Sequence, residues 1–106
     1  MKPPTAPKDL CLEAKKLWRD VFAEYDVGAD AREILRVGCI SLTRYLQAKE
    51  ILDREGLVFK TETGQVKKNP VCQIEKDSLT SFLQAMRLLG LEFEQPKPRG
   101  PGRPPG

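Results

Sequence analysis

The sequence predicts a mainly helical fold: three helices, with a small β-hairpin between the second and the third. Three observations carry this. Apolar residues recur at helical spacing in three separate stretches. Between the second and third stretches, short runs rich in Val, Phe and Thr flank Thr63-Gly64, as in two strands and a turn. Most boundaries carry a residue that starts or stops a helix for a stated chemical reason.

The first helix is expected from about Asp9 to Val27. Leu10, Ala14, Leu17 and Val21 form one apolar face beside Trp18, Phe22 and Tyr25, and Gly28 is expected to close it. Asp30 is expected to open the second helix, with Glu33 three residues on in an acidic version of the capping box. This helix runs to about Glu55. Ile34, Leu35, Leu42, Tyr45, Leu46 and Leu52 share one face, and Val37, Ile40, Ala48 and Ile51 form a second stripe roughly opposite. Two readings fit: a central helix covered from both sides, or one side on the core and the other on a neighbouring subunit. Gly38 lowers helix propensity by about 1 kcal/mol against Ala, a cost that close approach of another helix would offset.

Gly56 ends the second helix. Leu57 to Thr61 and Gln65 to Lys67 read as the two strands of a hairpin spanning 57–68. Two strands alone are marginal in water, so the hairpin is expected to pack on helices or to pair with other copies. Asn69 then caps the third helix, with Pro70 at its first position, where a missing N–H costs nothing. Val71, Ile74, Leu79, Phe82, Leu83, Met86 and Leu89 form its expected buried face, and Gly90 followed by Leu91 predicts a Schellman ending.

The domain organisation follows: a basic, Pro-rich arm at 1–8 expected to be disordered, a helical domain at 9–91, and a tail at 92–106. The last fifteen residues hold five Pro and three Gly, so no packed structure is expected of them. A single small core of this length is marginal by itself, which favours oligomerisation. The second apolar stripe of the long helix and the hairpin supply the expected subunit interface: Val37, Ile40, Ala48, Ile51, Val58 and Phe59.

Charge is unevenly placed. The net charge is +3, but residues 9–55 carry eight Lys/Arg against ten Asp/Glu, leaving the excess on the ends and the hairpin. That distribution suits flexible contacts to an anionic polymer, and suits plain solubility as well. The expected cation set is Lys67 and Lys68 on the hairpin, Arg32, Arg36 and Arg54 along one side of the long helix, and Lys97, Arg99 and Arg103 in the tail. Thr43 and Gln47 are expected between the helical arginines. The tail resembles an AT-hook, whose extended Pro-Arg-Gly-Arg-Pro core suits a narrow minor groove, although Pro101-Gly102 here separates the two arginines.

Catalytic chemistry is not indicated. The chain has no His, and Gly64-Gln65-Val66-Lys67-Lys68 lacks the second glycine and the Lys-Ser/Thr pair of a phosphate loop. Cys11, Cys39 and Cys72 are widely spaced and odd in number, so neither a disulfide framework nor a zinc site is expected. Cys39 and Cys72 are read as small buried hydrophobes. No catalytic residue, metal or cofactor is assigned. No apolar run is long enough for a membrane span and no signal-peptide pattern is seen, so the protein is expected to be soluble and intracellular.

Read in order, these features resemble the small terminase subunits of tailed bacteriophages and prophages. The likeness covers about residues 10–91. It rests on Ala14-Lys15-Lys16-Leu17-Trp18, then Tyr45-Leu46-Gln47-Ala48-Lys49-Glu50-Ile51-Leu52, Glu55-Gly56-Leu57-Val58-Phe59-Lys60-Thr61, Thr63-Gly64, and Asn69-Pro70 opening a helix that closes at Leu88-Leu89-Gly90-Leu91. The resemblance implies a ring-forming, non-enzymatic DNA-packaging factor in the cytoplasm of a bacterial host. Its implied partners are double-stranded DNA, further copies of itself, and a large terminase subunit holding the ATPase and nuclease. Similar proteins often carry a longer basic leader before the first helix, which moves the expected DNA contact here toward the C-terminal tail. The rival readings are an adaptor whose Pro-rich tail docks in an aromatic groove, and a helix-turn-helix regulator.

Overall fold

The computed structural model describes residues 4–90. Its elements are α1 (Leu12–Glu24), α2 (Ala29–Glu55), β1 (Val58–Lys60), β2 (Val66–Lys68) and α3 (Val71–Leu89). The expected order of three helices with a hairpin between the second and third is therefore the observed one.

Helix α2 is the axis of the fold. Against its N-terminal half, Leu35 and Cys39 close a core with Leu10, Ala14, Trp18 and Val21 from the first segment of the chain. Along its other side runs α3, the more extensive of its two helical partners. Although Val37 of its second stripe stays exposed, the second helix thus meets a partner on two of its sides within one subunit. Gly38 shows why. A Cβ there would lie 3.0 Å from Ala85 Cβ and 3.0 Å from Met86 Cε, so the missing side chain is what lets α3 approach.

Several boundaries differ from the sequence expectation. Helix α1 starts at Leu12 rather than Asp9, because Lys8 and Asp9 form a turn and Cys11 is held in extended form by a tertiary contact. Leu10 is buried there, and the Cys11 N–H donates to Thr43 Oγ1 at 3.1 Å. The helix ends at Glu24, with extended Tyr25 as its cap, so Gly28 does not close it. Gly28 instead stands at the start of α2, where its carbonyl accepts the Arg32 N–H at 2.9 Å. The expected Asp30–Glu33 box is not formed. Asp30 sits in the first turn, where a negative charge suits the helix dipole, and Glu33 pairs with Arg36 at 3.0 Å.

Two residues of the N-terminal arm, Pro4 and Ala6, make tertiary contacts. Buried Trp18 donates its indole N–H to the Pro4 carbonyl at 2.9 Å, and Ala6 packs against the core. A buried indole needs an acceptor, and this arm supplies one.

The third helix departs most. Only Ala85 is buried on it, while Ile74 and Leu83 are each about half exposed and Leu79 and Leu88 are exposed too. Its expected apolar face is therefore wider than α2 alone covers. Gly90 ends it in the left-handed conformation (φ 75°), with its N–H shared between the Met86 and Arg87 carbonyls. The accompanying Leu91 contact lies outside the described residues.

Candidate nucleic-acid interface

The hairpin is where exposed cations and a defined backbone coincide. β1 and β2 are antiparallel, with Val58 opposite Lys68, Phe59 opposite Lys67 and Lys60 opposite Val66. Gly64 closes the connecting loop at φ 90°, the conformation a three-residue hairpin loop asks for. All six strand residues are exposed, so the expected packing of the hairpin on the helices is not what holds it.

Asn69 holds it instead. This residue is buried and uses every polar group it has. Its Nδ2 donates to the Gly56 carbonyl at 3.0 Å, and its backbone N–H donates to the Leu57 carbonyl at 2.8 Å. Its Oδ1 accepts the Val71 N–H at 3.0 Å and so caps α3, while its carbonyl accepts the Cys72 N–H. One residue, through its side chain and its backbone together, thereby joins the end of α2, the root of the hairpin and the start of α3. Asn69 was expected only as a helix cap; its second role depends on a partner thirteen residues away, which no local pattern reveals.

The cations fall into separate groups. Lys60, Lys67 and Lys68 project from the hairpin against a single acidic neighbour, Glu62. Arg54 lies in the last turn of α2, next to the hairpin root, with a long 3.9 Å contact to Glu55. Arg36 and Arg32 are exposed at the opposite end of α2, about 27 Å and about 33 Å from Arg54 at 1.5 Å per residue. Arg36 is partly neutralised by Glu33. Thr43 does not lie on this solvated side. It is buried, donating to the Cys39 carbonyl at 3.0 Å and accepting from the Cys11 N–H. Lys97, Arg99 and Arg103 lie outside the described residues.

The residues expected at a subunit interface are also divided. Val37, Val58 and Phe59 are exposed, at 49%, 56% and 44%. Ile51 is half-buried, and Ile40 packs on the subunit's own core. Ala48, at 2%, is consumed inside the subunit and offers nothing to a neighbour. Most of the apolar surface that remains lies on the hairpin, with Leu57 and Val66 beside Val58 and Phe59, and along α3.

All three cysteines are free. Cys39 is fully buried, and desolvation, with a smaller contribution from Cys11, pushes its thiol up to about 12. Cys72 is only half-buried, contrary to expectation. Among the described residues no group of three or more His, Cys, Asp or Glu side chains could hold a metal ion. No helix among them is long and apolar enough to cross a membrane. A depression of about 160 Å³ lies between the end of α1, the start of α2 and Leu89, lined mainly by apolar side chains.

Comparison with known families decides what this arrangement belongs to. The model of the phage terminase small subunit matches residues 14–97, most of the chain. The chain belongs to the phage terminase small-subunit family. That membership gives it a general role in phage DNA packaging. Neither a curated protein nor a solved structure matches it.

Proposed function

We propose that this small terminase subunit recognises viral double-stranded DNA and hands it to a large subunit that carries the ATPase and nuclease. The observation that carries the reading is the family match over residues 14–97. The exposed, basic hairpin supports it, because Lys60, Lys67 and Lys68 ride on a backbone fixed at Asn69 rather than on a loose loop.

DNA contact is assigned to Lys67 and Lys68, with Arg54 beside them, Arg32 and Arg36 at the far end of α2, and Lys97, Arg99 and Arg103 in the tail. Each subunit offers few cations, so a monomer would bind weakly at physiological salt. A closed ring multiplies those contacts through effective concentration, and it also covers the apolar surface that one subunit leaves open. Val37, Ile51, Val58 and Phe59 remain the interface residues of this proposal, joined by the exposed side of α3. The protein itself performs no chemistry in this scheme; positioning and avidity are its contribution.

A DNA titration at two salt concentrations tests the proposal. Affinity should fall steeply with salt, and deleting Pro96 to Gly106 should weaken binding and flatten the slope, because three cations leave with it. A full-length protein that ignores duplex DNA even in dilute buffer would refute the reading. An unchanged slope after the deletion would remove the tail from it.

A further inference from the structure

The hairpin has an open edge whose chemistry can be read residue by residue. The Asn69 N–H bonds the Leu57 carbonyl and the Thr61 N–H bonds the Gln65 carbonyl, so the odd-numbered residues of β1 form the hydrogen-bonded pairs with β2. The N–H and C=O groups of Val58 and Lys60 therefore point away from β2, along a free edge. Alternation along the strand puts Leu57 and Phe59 on one face of the sheet, and Val58 and Lys60 on the other, with Lys68 opposite Val58 on that second face. Such an edge is a template for another strand.

The charge of the edge narrows the choice of occupant. A second hairpin would set Lys60, Lys67 and Lys68 against the same three lysines, which is unfavourable. The complementary segment is one with alternating apolar and acidic residues. The chain contains one: Leu91-Glu92-Phe93-Glu94-Gln95, immediately after α3 and stopped by Pro96. Leu91 and Phe93 match Leu57 and Phe59, while Glu92 and Glu94 match the face of Lys60 and Lys68. The family match also continues past α3 to residue 97.

Reach decides which copy supplies it. The nineteen residues of α3 separate Gly90 from the hairpin root by about 28 Å. Five extended residues span at most about 17 Å. The hairpin does not fold back along α3, since no helix packs on it beyond marginal contact. A subunit's own 91–95 segment thus falls short of its own β1.

We propose that the outer edge of β1 takes residues 91–95 of a second copy as an added strand. The joint is head-to-tail, and repeating it around a rotation axis generates a closed ring. It rests on the oligomeric reading given above and specifies the contact that makes the oligomer.

Charge reversal on the full chain tests it by native mass spectrometry. Glu92→Lys with Glu94→Lys, and separately Lys60→Glu with Lys68→Glu, should each raise the concentration needed for assembly about tenfold or more. Mixing the two variants should restore assembly with both present, because each tail then meets an opposite hairpin. Phe93→Ser, which removes the apolar side chain matched to the Leu57 and Phe59 face far from either core, should show the same loss without any change of charge. In the wild-type assembly the Val58 and Lys60 amides should exchange slowly. Oligomers that survive both reversals, or Val58 and Lys60 amides that exchange freely in the assembly, would overturn the strand exchange and leave the ring reading standing. Reversals that each dissociate the protein but fail to complement on mixing would overturn it too. A wild-type protein that is monomeric throughout would remove both.

Discussion

Replacing Asn69 should loosen the joint between α2, the hairpin and α3, and the loss can be worked from its hydrogen bonds. Asn69→Ala removes the acceptor for the Val71 N–H, a helix cap worth about 1 kcal/mol. It also leaves the part-buried Gly56 carbonyl without the Nδ2 donor, which costs about 1 kcal/mol more. The sum, about 2 kcal/mol, corresponds to a fall in Tm of roughly 10 °C for a domain of this size. Asn69→Asp separates the two parts. It keeps an acceptor for Val71 and places a negative charge at the start of α3, losing only the donor to Gly56, so it should cost about half as much. Urea unfolding at one fixed protein concentration measures both, because assembly adds a concentration-dependent increment to stability. Should Asn69→Ala lie within about 0.5 kcal/mol of wild type, or Asn69→Asp prove as costly as Asn69→Ala, the joint is not built as described.

Three further outcomes are expected. Gly38→Val puts branched carbon where even a Cβ would be 3.0 Å from Ala85 and Met86, and should destabilise by about 2–3 kcal/mol in the same unfolding assay, with Ala85→Gly recovering part of it. The Cys39 thiol is ordinarily near 9.0 and is raised to about 12. Its contribution to stability is accordingly intact below pH 9 and lost as pH climbs toward 12, and a thiol reagent at neutral pH should modify Cys11 and Cys72 well before Cys39. Lys67→Ala, on the hairpin face away from Lys60 and Lys68, should weaken DNA binding similarly across sequences and reduce the salt slope by up to about one per subunit engaged, read by titration at several salt concentrations.

The parts of the fold legible in the sequence are those set by local chemistry. Asn69-Pro70, Thr63-Gly64 and Gly90 mark their boundaries because capping and turn geometry need only neighbouring residues. The start of α2 was not legible: Asp30 and Glu33 match a capping box, but Gly28 takes that position and Arg36 takes Glu33. Periodicity puts Thr43 on a solvated side, whereas the Cys11 segment crosses over it, a contact thirty-two residues apart. Ala48 falls on the stripe expected to face a neighbouring subunit for the same reason, since helical spacing marks an apolar stripe without saying which helix covers it. The half-exposed face of α3 was missed because its apolar residues read as core, and only the arrangement of α2 and α3 shows how little of that face one subunit covers.

Native mass spectrometry of the full chain at tens of micromolar tests the central claim most directly, that this subunit completes its burial and its grip on DNA by assembling with copies of itself. The account predicts a single closed oligomer of defined copy number. A monomer that stays folded across that concentration range would contradict it.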